Sequence, residues 1–223
     1  MEKRIPPNIS SELRMHYVAM PPEVFEASGI IIWGKRIKSL VFSTDIAVIR
    51  NCNADAVLSV YPFTPQQVIA DAIVAASYIP VFCGVGGGIT GGERVIALAK
   101  DAEAEGAMGV VVNAPISPEI IRVMRRVIDI PIVSTVVSES MDTQKRIDAG
   151  AAILNVSAAE RTPYVVECLR RRHPDFPIIA TGGPTGDTIR ATVRAGANAI
   201  SITPPTTKEL FKSIMKDYRG REW

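Results

Sequence analysis

The stretch FPIIATGGPTGDTIRATVRAGANAISITPPT, Phe176–Thr206, decides how this chain is read. A short apolar run, Ile178–Ala180, stops at Thr181-Gly182-Gly183, and a helical pattern follows from about Asp187 to Ala195. Gly196 closes that helix, and a second apolar run, Ala199–Ile202, stops at Thr203-Pro204-Pro205-Thr206. Two strands therefore flank one helix, and each strand ends in residues suited to exposed backbone. Gly182 and Gly183 carry no Cβ, so their amides can approach an anion closely. A further helix opening at Thr206-Thr207 would present unpaired N–H groups beside them. If these strands are the seventh and eighth of a β/α barrel, their loops lie where many such barrels hold a phosphate.

The count bears on that condition. Regular alternation begins at Lys38, with apolar runs at Ser39–Phe42, Ala56–Val60, Val81–Cys83, Gly109–Val112, Ile132–Thr135 and Ala152–Asn155 ahead of the two already described. Helical patterns follow at Ile46–Arg50, from Thr64-Pro65 to Ala76, at Glu93–Glu105, after Ser117-Pro118, near Asp142–Ala149 and after Thr162-Pro163, and the last runs from Thr207 to Tyr218. The third, fifth and seventh strands are each preceded by an apolar residue and proline: Ile79-Pro80, Ile130-Pro131 and Phe176-Pro177. The helices after them end at Gly106-Ala107, Gly150-Ala151 and Gly196-Ala197, where glycine supplies a left-handed stop. The chain thus repeats a unit of two strands and two helices every roughly 45–50 residues, a period that solenoids also show. Four such units close an eight-stranded ring, and the reading is a (β/α)8 TIM barrel over residues 37–223 with an N-terminal arm over 1–36. The arm is broken by Pro6, Pro7, Pro21 and Pro22, with a short helix from Pro22 to Ala27 and a strand-like run at Gly29–Trp33. It packs under the barrel or against a second copy of the chain, which makes a homo-oligomer a candidate state.

Composition limits the partners. The chain has 223 residues, 47% of them hydrophobic but 6% aromatic, which suits buried parallel strands under small-residue helices. A net charge of +2 with interspersed signs gives no basic face for nucleic acid. Arg170-Arg171-Arg172-His173 falls at a helix end, where cations complement the dipole. No apolar run approaches the roughly 18–20 residues that span a bilayer, and MEKRIPPNISSELR lacks the apolar core of a signal peptide, so a cytoplasmic protein is expected. Cys52, Cys83 and Cys168 are odd in number and lack metal-ligand spacing, so no metal site is expected.

In a barrel, reacting groups lie beyond the carboxyl ends of the strands. Asp45 is the one carboxylate there, either a general base or an N-cap for the helix at Ile46. Cys83 ends the third strand against glycines, either as an accessible thiol or as a small buried hydrophobe. These two are the catalytic candidates. Ser43, Thr44, Asn113 and Asn155 are candidates for orienting a substrate, with Gly86 and Gly87 of the GVGGGITGG run as close-approach or lid positions. Gly182, Gly183, Thr203 and Thr206 are the phosphate-binding candidates. No lysine or histidine ends a strand, and no two carboxylates converge, which argues against a Schiff-base, two-metal or glycosidase-type site.

On IIATGGPTGDTIRATVRAGANAISI, Ile178–Ile202, the chain resembles the ribulose-phosphate-binding class of TIM barrels, with a cousin likeness to barrels that bind flavin mononucleotide or inosine monophosphate. Over MPPEVFEASGIIIWGKRIKSLVFSTDIAVIRNCNADAVLSVYPFTPQ and VFCGVGGGIT it is similar to a bacterial barrel family commonly described only as hydrolase. These resemblances imply an enzyme acting on a small phosphorylated metabolite without a cofactor. The alternatives are a phosphometabolite sensor without turnover and a flavin mononucleotide oxidoreductase. The strand-end Asp, Lys or Glu of the class's decarboxylases and epimerases is missing from the second to eighth strands, so no family catalytic residue is carried over.

Overall fold

A computed structural model describes residues 7–9, 11 and 15–220; Pro6 of the arm lies outside the described residues. A hairpin of β1 (Ile30–Ile32) and β2 (Lys35–Ile37) leads into β3 (Ser39–Phe42), β4 (Ala56–Ser59), β5 (Val81–Gly86), β6 (Gly109–Val112), β7 (Ile132–Val136), β8 (Ile153–Val156), β9 (Ile178–Thr181) and β10 (Ala199–Ile202). From β3 to β10 each strand pairs in parallel with the next, and β10 returns to β3 with Ile200 opposite Ser39, which closes an eight-stranded barrel. The helices are α1 (Ile46–Arg50), α2 (Gln67–Ala76), α3 (Glu93–Ala104), α4 (Pro118–Met124), α5 (Thr143–Asp148), α6 (Thr162–Arg172), α7 (Gly186–Arg194) and α8 (Thr207–Arg219). The TIM barrel expected from the alternation is the fold.

The repeated punctuation has a physical cause. Pro80, Pro131 and Pro177 cannot donate, but their carbonyls accept from Val57, Val110 and Leu154 at 2.8, 3.0 and 3.0 Å, starting the ladder on one side only. Gly106, Gly150 and Gly196 sit at φ +91°, +113° and +109°. The alanine after each donates back five residues, to Ala102, Arg146 and Thr192, the closing bond of a Schellman turn.

Side chains alternate between two layers. Leu40, Leu58, Phe82, Val111, Val133, Ile153, Ile179 and Ala199, at least one from every barrel strand, share one buried cluster along the axis. Val57, Val81, Cys83, Val110 and Ile132 face outward into the helix layer, as do Leu154, Ile178 and Ile200. Gly109 makes room for Phe82: a Cβ there would lie 2.8 Å from its ring. Ile30, Ile32 and Ile37 of the hairpin belong to the axial cluster, so β1 and β2 stop the amino-terminal end of the barrel. Val24, in a 3-10 turn at Pro22–Glu26, is buried against Ile189 and Ile200, and Glu23 and Glu26 reach Arg190 at 3.0 and 3.3 Å.

Several expected boundaries move. β5 runs three residues past Cys83, because a bulge between Gly84 and Gly86 lets it follow β6 further. Helix α2 starts at Gln67 and not at Thr64-Pro65; the Gln66 amide donates to the Tyr61 hydroxyl at 2.9 Å. A 3-10 turn at Ala159–Arg161 precedes α6, and Thr162 is its first helical residue, not its cap.

Candidate functional site

Two residues beyond each axial residue, the strands present a second ring at the carboxyl end. By this alternation the ring reads Phe42, Val60 and Gly84 on β3–β5, then Asn113, Thr135, Asn155, Thr181 and Ser201 on β6–β10. One arc of the mouth is apolar and the other is polar without charge. Thr135, Asn155 and Ser201 are buried, at 8%, 6% and 4% exposure. Asn155 Nδ2 donates to Thr135 Oγ1 at 3.4 Å, and Asn155 Oδ1 is buried without a hydrogen-bond partner.

Two cavities open on one side of this ring, at Phe42, Val60, Gly84 and Asn113. One, of about 200 Å³, lies between Val60–Pro65, Gly84–Thr90 and Asn113. The other, of about 280 Å³, is lined by Phe42–Asp45, Tyr61 and Thr203–Thr207. They share Val60, Tyr61 and Pro62, and Asp45 is the only charged residue lining either. The glycines of the first cavity are set by packing: a Cβ on Gly87 would lie 2.5 Å from Asn113 Cβ, and one on Gly86 would lie 2.5 Å from Val95. Ile89 and Phe63, 96% and 74% exposed, form its apolar rim.

Asn113 is held from behind. Its N–H donates to the Gly86 carbonyl at 2.9 Å, and its own carbonyl accepts from Ile116. The buried Arg146 guanidinium then clamps that turn, donating to the carbonyls of Ala114 and Ile116 and to Ser134 Oγ. Burial pushes the Arg146 pKa down, and none of the ion pairs among the described residues includes it.

The two catalytic candidates are both committed elsewhere. Asp45 is the N-cap of α1: Oδ1 accepts from Ala47 at 2.8 Å and Val48 at 3.3 Å, while Oδ2 accepts from the Thr207 hydroxyl. That Thr207 bond, followed by the amides, holds its pKa below the usual carboxylate value. Cys83 does not reach the mouth. Its side chain faces the helix layer at 1% exposure, and burial, with Asp71 nearby, pushes the thiol up to about 12. The structure brings Ser43 and Thr44 together with Asp45 and Thr203, and Ser43 Oγ accepts from the Asp45 amide.

Part of the expected phosphate cradle, Gly182 and Thr206, is bonded within the chain. Gly182 donates its N–H to Ser201 O at 3.0 Å and lies under Ile189 and Ile200, so its missing Cβ serves packing. Gly183, at φ +82°, leaves room for Thr188, which forms a capping box with Thr185. Thr206 caps α8, and both its amide and its hydroxyl donate to Glu209. Carboxylates stand at both helix starts, since Glu23 Oε1 lies 2.5 Å from where a Gly186 Cβ would be. Thr181 ends its apolar run in the sequence and Ser201 could have been singled out by strand alternation, but Arg146 and Glu23 read as ordinary surface charges, and only tertiary contact reveals them.

No protein-family model and no curated protein matches the chain. Solved structures do. A protein assigned as a phosphonomutase from Burkholderia cenocepacia J2315 superposes with a TM-score of 0.63 at 17% identity, over 82% of this chain and 93% of that one. A 2,3-dimethylmalate lyase of the PEP mutase/isocitrate lyase superfamily gives 0.61 at 12%, over 87% and 80%. Phosphonopyruvate hydrolase in complex with oxalate and Mg2+ gives 0.58 at 12%, over 84% and 82%. Among the described residues no three His, Cys, Asp or Glu side chains gather to hold a metal, and both Asp45 oxygens already accept hydrogen bonds. At 12–17% identity the likeness is one of fold, and it supports a TIM barrel without selecting the ribulose-phosphate-binding type.

Proposed function

We propose that the mouth binds a small phosphorylated or carboxylate metabolite and that the protein is an enzyme acting on it. The observation that carries this reading is the polar arc itself. The four strands β7–β10, and the residue that follows β6, Asn113, each carry an uncharged hydrogen-bonding side chain in register with the axial face, opposite an apolar arc at the ends of β3–β5. An apolar wall with a few convergent polar groups is the usual make-up of a small-molecule site. The two cavities, of about 200 and 280 Å³, are of metabolite size, and the first meets the polar arc at Asn113. The acidic group of the ligand would be met by Asn and Thr donors of that arc, since the Gly182 amide and Thr206 are already bonded. Asp45, ionised and lining the second cavity, is the group in position to accept a proton once a ligand displaces Thr207. The named activities of the structural neighbours, on phosphono and carboxylate compounds, agree with this class.

A second reading, a metabolite sensor without turnover, is favoured by one fact: every oxygen of Asp45 is occupied and Cys83 is withdrawn from the mouth. A thermal-shift screen of sugar phosphates, nucleotides and hydroxy acids, followed by product analysis of each hit, tests both. Stabilisation with conversion supports the enzyme, stabilisation with the ligand recovered unchanged supports the sensor, and no stabilisation removes both. Yellow purified protein would instead point to bound flavin.

A further inference from the structure

We infer that Asn155 is a specificity residue, whose amide oxygen accepts a hydrogen bond from a hydroxyl of the ligand. This rests on the mouth being the binding site. Asn155 lies on β8, two residues after Ile153 of the axial cluster, and is 6% exposed. In register it stands between Thr135 on β7 and Ile179 on β9. Its Nδ2 has one long partner, Thr135 Oγ1 at 3.4 Å, and its Oδ1 has none. A buried amide oxygen without a donor destabilises the free protein, because water's hydrogen bonds are lost and not replaced. An apolar residue of the same size would remove that cost, so an unmet acceptor at a strand end marks a function that stability alone would not keep.

The surroundings select the donor. A cationic donor would want a carboxylate, and the register neighbours of Asn155, Thr135 and Ile179, supply none. Among neutral donors, the one a phosphorylated or carboxylate metabolite commonly carries is an O–H on its carbon skeleton. Sites that bond a substrate hydroxyl reject the analogue lacking it far better than apolar pockets reject an extra group. The ligand class is therefore a hydroxylated phosphate ester or hydroxy acid, and its deoxy counterpart is excluded.

The test compares the full-length protein with Asn155→Leu and Asn155→Ala, using two probe pairs: glycerol 3-phosphate with propyl phosphate, and lactate with propionate. Melting temperature is read without ligand and across a titration of each probe. The inference expects Asn155→Leu without ligand to melt above the wild type. It also expects the wild type to prefer a hydroxylated probe by about tenfold, with both variants losing the preference while keeping the weaker deoxy binding. Equal wild-type binding within both pairs, or a preference that survives in Asn155→Ala, would overturn it. If no probe binds the wild type, the metabolite reading fails for these classes. The ligand-free comparison still decides the acceptor: a lower melting point for Asn155→Leu makes Asn155 a structural residue and sinks the inference.

Discussion

Thr207 donates its hydroxyl to Oδ2 of Asp45, 162 residues earlier, so the first and last helices of the barrel are tied at the mouth. The other oxygen of Asp45 caps α1. Removing the side chain with Asp45→Ala should cost about 1 kcal/mol from the cap alone, read as a lower urea midpoint. Charge adds a pH signature. The folded pKa of Asp45 lies below its unfolded value of 3.8, so the stabilisation is full above that value and is lost as pH falls through the folded pKa. The stability gap between wild type and Asp45→Asn should therefore be constant at neutral pH and close in acid. A gap that widens in acid would contradict the assignment.

The cysteines should divide by burial. Cys52 and Cys83 are buried and Cys168 is half-buried. Burial raises the pKa of both buried thiols. A thiol-specific chromogenic reagent at mild alkaline pH should label at most one cysteine rapidly in the folded protein and all three after unfolding. Fast native labelling of Cys83 would return it to the list of candidate nucleophiles.

Two glycine substitutions separate packing from flexibility. At Gly109 a Cβ would meet the Phe82 ring at 2.8 Å and Pro131 O at 2.9 Å, so Gly109→Ala should destabilise by about 1–3 kcal/mol. At Gly91 it would meet nothing within 4 Å, so Gly91→Ala should be neutral or stabilise by up to about 1 kcal/mol. Calorimetric melting of the two variants is the check.

Arg146 should matter through the loop it clamps. Arg146→Met leaves the Ala114 and Ile116 carbonyls without their donor, and hydrogen exchange at Ile116, whose amide closes the Asn113 turn, should accelerate. Lysine should not restore protection, because one ammonium cannot reproduce the planar fork. Unchanged exchange in Arg146→Met would show that the turn holds itself.

The fold is legible in the sequence because its signals are local and repeated. Proline before β5, β7 and β9, and Gly-Ala after α3, α5 and α7, mark three of the four double units, and every marked position shapes the backbone there. The site is less legible because its meaning depends on which groups are already bonded. Gly182 and Gly183 read as an anion cradle, yet one amide goes to Ser201 and both missing Cβ atoms make room for neighbours. Cys83 ends an apolar run in either case, and it faces the helices because Phe82, its neighbour on β5, points to the axis. Asn113 and Asn155 were nameable from strand ends, but the unpartnered oxygen of Asn155 is a three-dimensional fact.

The central claim, that the polar arc receives the ligand, is tested most directly by titrating isotope-labelled protein with the most stabilising metabolite and following backbone and Asn side-chain amides by NMR. The account predicts shifts centred on the side-chain amides of Asn113 and Asn155, with Thr135, Ser201 and the Gly84–Thr90 loop moving along with them. Shifts confined to Gly183–Asp187 and the start of α8, with the asparagine side chains unmoved, would contradict it.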